Sequence, residues 1–287
     1  MSTTNHGDYF IPEPSKWPIV GTVALTTTVI GAVNTIHSMQ AGGSMSLLLP
    51  IGLLLIAYLF FGWFGAVIEE SMAGNYNEQV DRSFRIGMLW FIFSEVMFFA
   101  AFFGALFYVR VLVGPWLAGE GDGGRMNGLL WEGFTYSWPM MQTPQEAVGG
   151  AGAQLIANNG SFTSPETSLS FADAHAWWAW LPMWNTLVLL TSSFTCHLAH
   201  VGILNGERKK FNFWLTVTVV LGIIFLALQY AEYHEAYVEY GLTLNAGIYG
   251  STFFMLTGFH GFHVFMGMTM LLIQLMRSGF GGQFTAD

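Results

Sequence analysis

The sequence is poor in charged residues and almost without cysteine. Asp, Glu, Lys and Arg make up only 9% of its 287 residues, against about 25% in an ordinary soluble domain. The single cysteine, Cys196, rules out an intrachain disulfide. Hydrophobic residues make up 53% of the chain, so we expect an integral membrane protein and no nucleic-acid partner.

Six apolar stretches are long enough to cross a bilayer as helices. We therefore expect an all-α polytopic transmembrane helix bundle, one membrane domain covering residues 1–287. The segment 1–18 precedes the first span, and a Gly-rich, polar segment at 114–177 is expected to be a long loop outside the membrane. The predicted spans lie at about 19–39, 47–68, 84–109, 178–204, 213–233 and 248–276.

Positive residues favour one side of the membrane. Arg110 and Arg125 fall on the side of the long loop, and the other seven fall on the side of both termini. Because Lys and Arg are enriched in cytoplasmic loops, both termini are predicted to be cytoplasmic and the long loop extracytoplasmic. The expected location is the bacterial cytoplasmic (inner) membrane rather than the mitochondrial inner membrane. The seven are Lys16, Arg82, Arg85, Arg208, Lys209, Lys210 and Arg277.

Glu95 is the one acid inside the predicted third span. At 1.5 Å per residue it lies about 16 Å along a helix that begins at Phe84, close to the middle of a hydrocarbon core of about 30 Å. An ionised acid there costs about 2.5–3.5 kcal/mol on insertion scales. We therefore expect Glu95 to have a polar partner or to be protonated.

Histidines in two spans raise the question of a metal or haem site. His197 and His200 close the fourth span, and His260 and His263 lie in the sixth, each pair sharing a helix face. The two pairs lie at different depths, about 6–10 Å and about 20 Å or more from the cytoplasmic end. We therefore favour hydrogen-bonded interhelical histidines over a metal site.

Two further groups of polar residues have competing interpretations. Glu232, near the end of the fifth span, is interpreted as an interhelical polar residue, with a metal site as the alternative. Trp63 and the acids after it are either an interfacial Trp with solvated acids or a lipid-headgroup site. Arg82 and Arg85 could pair with nearby acids or hold a phosphate.

Three separated motifs in this order resemble cytochrome c oxidase subunit III. They occur in the third span, at the end of the fifth and in the sixth. The resemblance runs from about Trp63 to the C-terminus and is weak across the long loop. The motifs are Arg85-Ile-Gly87-Met88 with Ser94-Glu95-Val96-Met97-Phe98-Phe99, Gln229-Tyr-Ala-Glu232-Tyr233-His-Glu235-Ala236, and Gly247-Ile-Tyr-Gly-Ser-Thr-Phe-Phe254 with Gly258-Phe-His-Gly-Phe-His-Val264.

This resemblance implies a non-catalytic subunit III of a proton-pumping cytochrome c oxidase of aerobic respiration. Such a subunit has no catalytic residue, metal or cofactor, and partner subunits hold the haems and copper. It binds the catalytic subunit I, in a complex with subunit II, and structural phospholipids. Its roles would be proton uptake, oxygen access and enzyme stability, and its first two helices would splay from the rest in a V. The implied lipid-cleft residues are Trp63, Glu69, Arg85, Arg277 and Glu95, the last as a buried carboxyl.

The sequence departs from the family pattern after the sixth span. The family has a seventh helix, whereas this sequence stops at Phe284-Thr-Ala-Asp287. We expect either a further chain that supplies the helix or a shortened sequence. The alternatives are a subunit III-like component of a quinol oxidase or nitric oxide reductase, whose members usually lack the first two helices, and a small-solute or proton transporter. No inverted repeat supports the transporter.

Overall fold

The computed structural model describes residues 14–149, 181–238, 241–244 and 246–284. The described residues are helical or irregular and include no strand. Six helices within these residues have the length and hydropathy to cross a membrane, which confirms the predicted all-α bundle. The chain divides into two compact units, Met1–Glu95 and Val96–Asp287. The part of the long loop after residue 149 and the predicted start of the fourth span at Trp178 lie outside the described residues.

The first unit contains a hairpin of α1 (Trp17–Gln40) and α2 (Leu48–Met72). Small residues allow the two backbones to approach closely, which is the usual way helices pack in lipid. Ala24 is fully buried, and a Cβ built at Gly52 would lie 2.6 Å from the backbone N and Cα of Thr28. At the turn, the Thr35 hydroxyl donates to the Gly31 carbonyl (2.7 Å) and accepts from the Ser46 amide (3.1 Å).

The third helix, α3 (Glu78–Tyr108), begins in the first unit and continues into the second. The Asn77 side chain accepts from the Val80 amide (3.0 Å), and Glu78 and Asp81 lie in the first turn, where a helix favours negative charge. A five-residue π-helical turn, Val109–Val113, follows α3. The Tyr136 hydroxyl donates to the Arg110 carbonyl in this turn (2.9 Å).

The described part of the long loop packs on its own unit. It contains three short helices, α4 (Gly114–Leu117), α5 (Asn127–Leu130) and α6 (Pro144–Ala147). The Tyr249 amide donates to the Met140 carbonyl (3.3 Å), and the Trp138 and Tyr249 rings meet edge to face at 5.8 Å. The loop is therefore attached to the start of the last long helix.

The rest of the second unit is built on α7 (Leu181–Leu204), α8 (Arg208–Val238) and α9 (Gly247–Gly279). At one end, Ala199 of α7 packs with Phe211 and Leu215 of α8. At the other end, the turn between α8 and α9 closes a second apolar cluster of Ala236, Leu242, Ala246 and Phe254. Between them, the buried hydroxyls of Thr195 and Thr218 join α7 to α8 (2.8 Å).

Most of the six long helices in the described residues extend beyond the apolar stretches from which they were predicted. The third begins at Glu78 rather than Phe84, and the fifth covers Arg208–Val238 rather than 213–233. Hydropathy identifies only the apolar part of a helix. The helical backbone hydrogen bonding continues beyond that part until a residue that ends the helix. Gly74 and Gly206, both with φ near +70°, lie just beyond α2 and α7 and are typical helix stops.

Candidate lipid and partner interface

The polar end of α2 and the start of α3 hold three of the predicted cleft residues. Trp63 is 43% exposed on α2, and Glu69 is exposed near the end of the same helix. Arg85 of α3 pairs with Asp81 one turn earlier (2.9 Å), and both side chains are largely exposed. The sequence analysis gave two alternatives for Arg85, an ion pair with a nearby acid or a bound phosphate. The structure of the chain contains the ion pair. An exposed pair of this kind stabilises the helix by only a few tenths of a kcal/mol, so an anionic ligand could compete for Arg85.

Glu70 and Tyr76 form a second polar contact beside these residues. The Tyr76 hydroxyl donates to the Glu70 carboxylate (2.7 Å), and the Tyr76 ring lies edge-on against Phe84 (5.4 Å). Burial, and to a smaller extent the hydrogen bond to Glu70 and the charge of Glu70, together raise the pKa of Tyr76 to about 12. This contact orients the linker between α2 and α3, and it was not predicted from the sequence.

Glu95 lies about halfway along α3 and is half-buried in the chain by itself. The predicted burial of the Glu95 carboxyl refers to the protein assembled with its partners and lipid, and it stays a prediction. Several Phe side chains follow Glu95 on the same helix, where the Phe98 and Phe102 rings are 4.8 Å apart. Phe98 also meets Phe259 (5.7 Å), and Phe99 meets His260 edge-on (5.3 Å). The segment of α3 after Glu95 is therefore in aromatic contact with α9.

Arg277 lies in the last turn of α9, apart from the α2–α3 residues in the chain order. Its Nε donates to the Gln283 side chain (2.6 Å), and its Nη1 makes a longer contact with Gln274 (3.4 Å). The guanidinium also lies 5.0 Å from the centre of the Phe284 ring. Arg277 is thus held by the C-terminal residues that follow its helix.

The neighbouring Ser278 is the most enclosed polar residue at this end of the bundle. It has no exposed surface, and its hydroxyl donates to the Asn212 side chain on α8 (2.6 Å). Arg208, the first residue of α8, donates to the Ser278 carbonyl. These contacts join the start of α8 to the end of α9, so Arg208 and Arg277 are held on the same end of the unit.

The predicted histidines do not form a shared ligand set in the described part of the chain. His197 and His200 are exposed on α7, while His260 and His263 are half-buried on α9. No three His, Cys, Asp or Glu side chains among the described residues converge closely enough to hold a metal. The two His pairs therefore lie on two different helices, at separate sites.

Glu232 contacts a residue that the sequence analysis did not single out. The buried Asn185 of α7 directs its Nδ2 to the Glu232 carboxylate of α8 (3.4 Å). At the next residue of α8, the hydroxyls of Tyr233 and Thr257 are 2.6 Å apart and join α8 to α9. Asn185 could have been found from sequence as a rare amide within an apolar run, but its partner could not.

Comparison with known proteins gives a consistent result. A family model described as cytochrome c oxidase subunit III matches residues 7–117 and 178–282. Among curated relatives, "Cytochrome c oxidase subunit 3" of Triticum aestivum is 32% identical, and the alignment covers 98% of this chain and 86% of the relative. The protein of the same name from Arabidopsis thaliana is 33% identical with the same coverage, and that of Latimeria chalumnae is 33% identical over 94% of this chain and 82% of the relative.

Proposed function

Because the chain belongs to the cytochrome c oxidase subunit III family, we propose that it is the non-catalytic subunit III of a proton-pumping cytochrome c oxidase. It binds the catalytic subunit I, in a complex that also contains subunit II, and the haems and copper lie in those partners. Both N-terminal helices fall within the matched residues, which favours the cytochrome c branch over the quinol oxidase and nitric oxide reductase relatives.

The observation that carries the proposal is the surface of α3. Within the described part of the chain, none of residues 84–109 of this span is buried. Trp90, Phe93, Phe103 and Phe107 are each more than half exposed on it. A helix that is apolar on all sides belongs inside a larger apolar assembly, and a catalytic membrane subunit together with phospholipid supplies one.

Phospholipids are the second proposed partner. Trp63, Glu69, Arg85, Glu95 and Arg277 are proposed to line the lipid cleft, with Arg85 and Arg277 as the phosphate-binding side chains. Arginine suits this role because its planar fork donates two parallel hydrogen bonds to a phosphate. The carboxyl of Glu95 becomes buried when lipid and subunit I cover α3. In this position the subunit keeps proton uptake fast, gives oxygen an apolar approach and stabilises the catalytic subunit.

The basic ends of the spans set the proposed orientation. Arg208, Lys209 and Lys210 begin α8, and Arg277 ends α9. The enrichment of positive residues on the inner side of membranes places these ends in the cytoplasm, or in the matrix of a mitochondrion. The loop attached at Trp138 and Tyr249 then faces the other side. The bacterial cytoplasmic membrane is the proposed location.

Purification of the assembled protein tests the function directly. The complex is isolated in mild detergent through an affinity tag on this chain, and its reduced-minus-oxidised haem spectrum and polypeptides are recorded. We expect stoichiometric haem, a large polytopic partner and oxidation of reduced cytochrome c. Oxidation of quinol alone would indicate the quinol branch, and a colourless chain purified without partners would contradict the proposal and favour a transporter.

The role of Glu95 is tested by Glu95→Gln, which keeps the size of the side chain and removes the charge. We expect the complex to assemble and to lose at most a modest part of its steady-state activity. Glu78→Gln at the exposed start of the same helix is the matched control and should behave as the unchanged protein. Complete loss of proton translocation in an assembled Glu95→Gln complex would show that Glu95 is part of the pumping machinery.

Lipid binding at the end of α9 is tested by Arg277→Gln. Phospholipids that co-purify with the complex are extracted and quantified by mass spectrometry. We expect the variant to lose anionic phospholipid relative to Lys209→Gln, which removes one positive charge from the same end of the bundle. Equal lipid contents of the two variants would assign the binding to general electrostatic attraction rather than to Arg277.

A further inference from the structure

A small cavity lies between α7, α8 and α9, and none of the residues proposed above for lipid or partner binding lines it. Its volume is about 110 Å³. Leu189 comes from α7, Leu221 and Phe225 come from α8, and Met268 and Leu271 come from α9. Of its nine lining residues, seven are apolar or glycine. The wall is therefore hydrocarbon from three helices of one compact unit.

The two hydroxyl groups that line the cavity are already hydrogen-bonded to the protein. Ser192 donates to the Leu189 carbonyl of its own helix (2.8 Å). The Thr218 hydroxyl donates to the Trp214 carbonyl (2.9 Å) and shares a hydrogen bond with Thr195 (2.8 Å). A buried water needs two to four polar partners. Because both hydroxyl hydrogens are used within the protein, a water here could only donate to the two hydroxyl oxygens, which is the lower limit of that range. Water is therefore a poor occupant.

The size of the cavity limits what it can hold. An engineered protein cavity of about 150 Å³ with an apolar lining stays dry and binds benzene or xenon, and the cavity described here is somewhat smaller. Gly222 maintains the space, since a Cβ at this position would lie 2.9 Å from the Cγ of Met268. The cavity is partly open, and Leu189 of α7, which is 45% exposed, is the most exposed of its lining residues.

We propose that this cavity is a binding site for one small apolar molecule or group without hydrogen-bonding atoms, which enters from the membrane interior. Two sources have this chemistry, a dissolved apolar gas and the end of a lipid acyl chain. Both are concentrated in the hydrocarbon that surrounds α7. The site depends only on the packing of α7, α8 and α9 and not on the proposed oxidase function.

Electron cryomicroscopy of the full chain, with the polypeptides that co-purify with it, tests the site in lipid nanodiscs. Maps are compared before and after equilibration with xenon, whose electron count makes one bound atom visible. Density that appears in the cavity only with xenon supports a gas site. Elongated density that enters beside Leu189 in both maps supports an acyl chain. A cavity empty in both maps, or a water bonded to Ser192 or Thr218, would overturn the proposal.

A pair of glycine substitutions tests whether the cavity itself is responsible. Gly222→Ala places a methyl group against Met268 and should remove most of the xenon or acyl density. Gly261→Ala is the matched control on α9, because a Cβ at Gly261 would meet no described atom within 4 Å, and it should retain the density. Unchanged density in Gly222→Ala would contradict the assignment. The two maps of the unchanged protein decide the question even if Gly222→Ala does not assemble.

Discussion

The close approach of α1 and α2 leads to a sharp prediction for Gly52. A Cβ at Gly52 would lie 2.6 Å from the N and Cα atoms of Thr28, whereas ordinary van der Waals contact begins at 3.4 Å. Both opposing atoms are backbone, so no rotamer change relieves the overlap. Gly52→Ala should therefore force the two helices apart by about 0.8 Å or more at this point, the difference between these two distances.

The expected cost follows from overpacking in a well-packed interface. Extra methylenes in a core typically cost about 1–3 kcal/mol, equivalent to about a 5- to 150-fold change in the equilibrium between packed and separated helices. Alanine also improves helix propensity over glycine by up to about 1 kcal/mol, which would mask part of the effect. Gly65→Ala on the same helix is the control, because a Cβ there would meet no described atom within 4 Å.

The separation of the hairpin can be measured directly. With Cys196 replaced by Ser, donor and acceptor dyes are attached at Ser15→Cys, just before α1, and at Ser71→Cys, in the last turn of α2. Energy transfer is followed during titration of the detergent-solubilised protein with sodium dodecyl sulfate. We expect Gly52→Ala to lose transfer at a lower denaturant fraction than Gly65→Ala. Coincident transitions would refute the close-packing account.

Two further predictions concern hydrogen bonds at the polar ends of the helices. The raised pKa of Tyr76, about 12 against the usual 10.0, means that the folded state favours the neutral phenol. Its contribution to stability is present below pH 10 and is lost as the pH rises through about 12. In absorbance titrations corrected with Tyr76→Phe, Glu70→Gln should lower the Tyr76 midpoint, and an unchanged midpoint would assign the shift to burial alone. Ser278→Ala should lower the free energy of unfolding by about 1–3 kcal/mol, because it leaves the Asn212 acceptor without its donor. Ser83→Ala removes an exposed hydroxyl and should change the stability little. Equal thermal unfolding of the two variants would contradict this prediction.

Composition and hydropathy were sufficient to predict the membrane-spanning architecture. An apolar stretch of about 20 residues has few stable alternatives to a helix in lipid, because each backbone group must be hydrogen-bonded within its own segment. The ends of the helices were less predictable. The start of α3 is polar, and α8 begins at Arg208 with two lysines after it. The start of α3 is capped by Asn77, and at the start of α8 the backbone hydrogen bonding begins with the Phe211 amide and the Glu207 carbonyl; neither depends on hydropathy.

The polar contacts between helices were the least predictable part. Sequence spacing indicates which residues share a face of one helix, but it does not specify which face of the next helix lies opposite. Thus Glu232 was singled out and its partner Asn185 was not, and Ser278 and Asn212 were both missed. Conversely, the sharing of a face by His260 and His263 indicated nothing about the distance to His197. The rotation and depth of each helix relative to its neighbours determine such pairs.

The way in which Arg277 is held has a consequence for ligand exchange. An arginine has five N–H donors, and Gln283 and Gln274 engage two of those on Arg277. A phosphate that binds in the bidentate manner can use the remaining donors only from one side, or it must displace Gln283 and the Phe284 ring from the guanidinium. The last residues of the described chain are thus an intramolecular competitor. Occupancy of Arg277 by the proposed headgroup and release of Gln283 and Phe284 would be linked equilibria, so removing these two side chains should tighten the proposed binding.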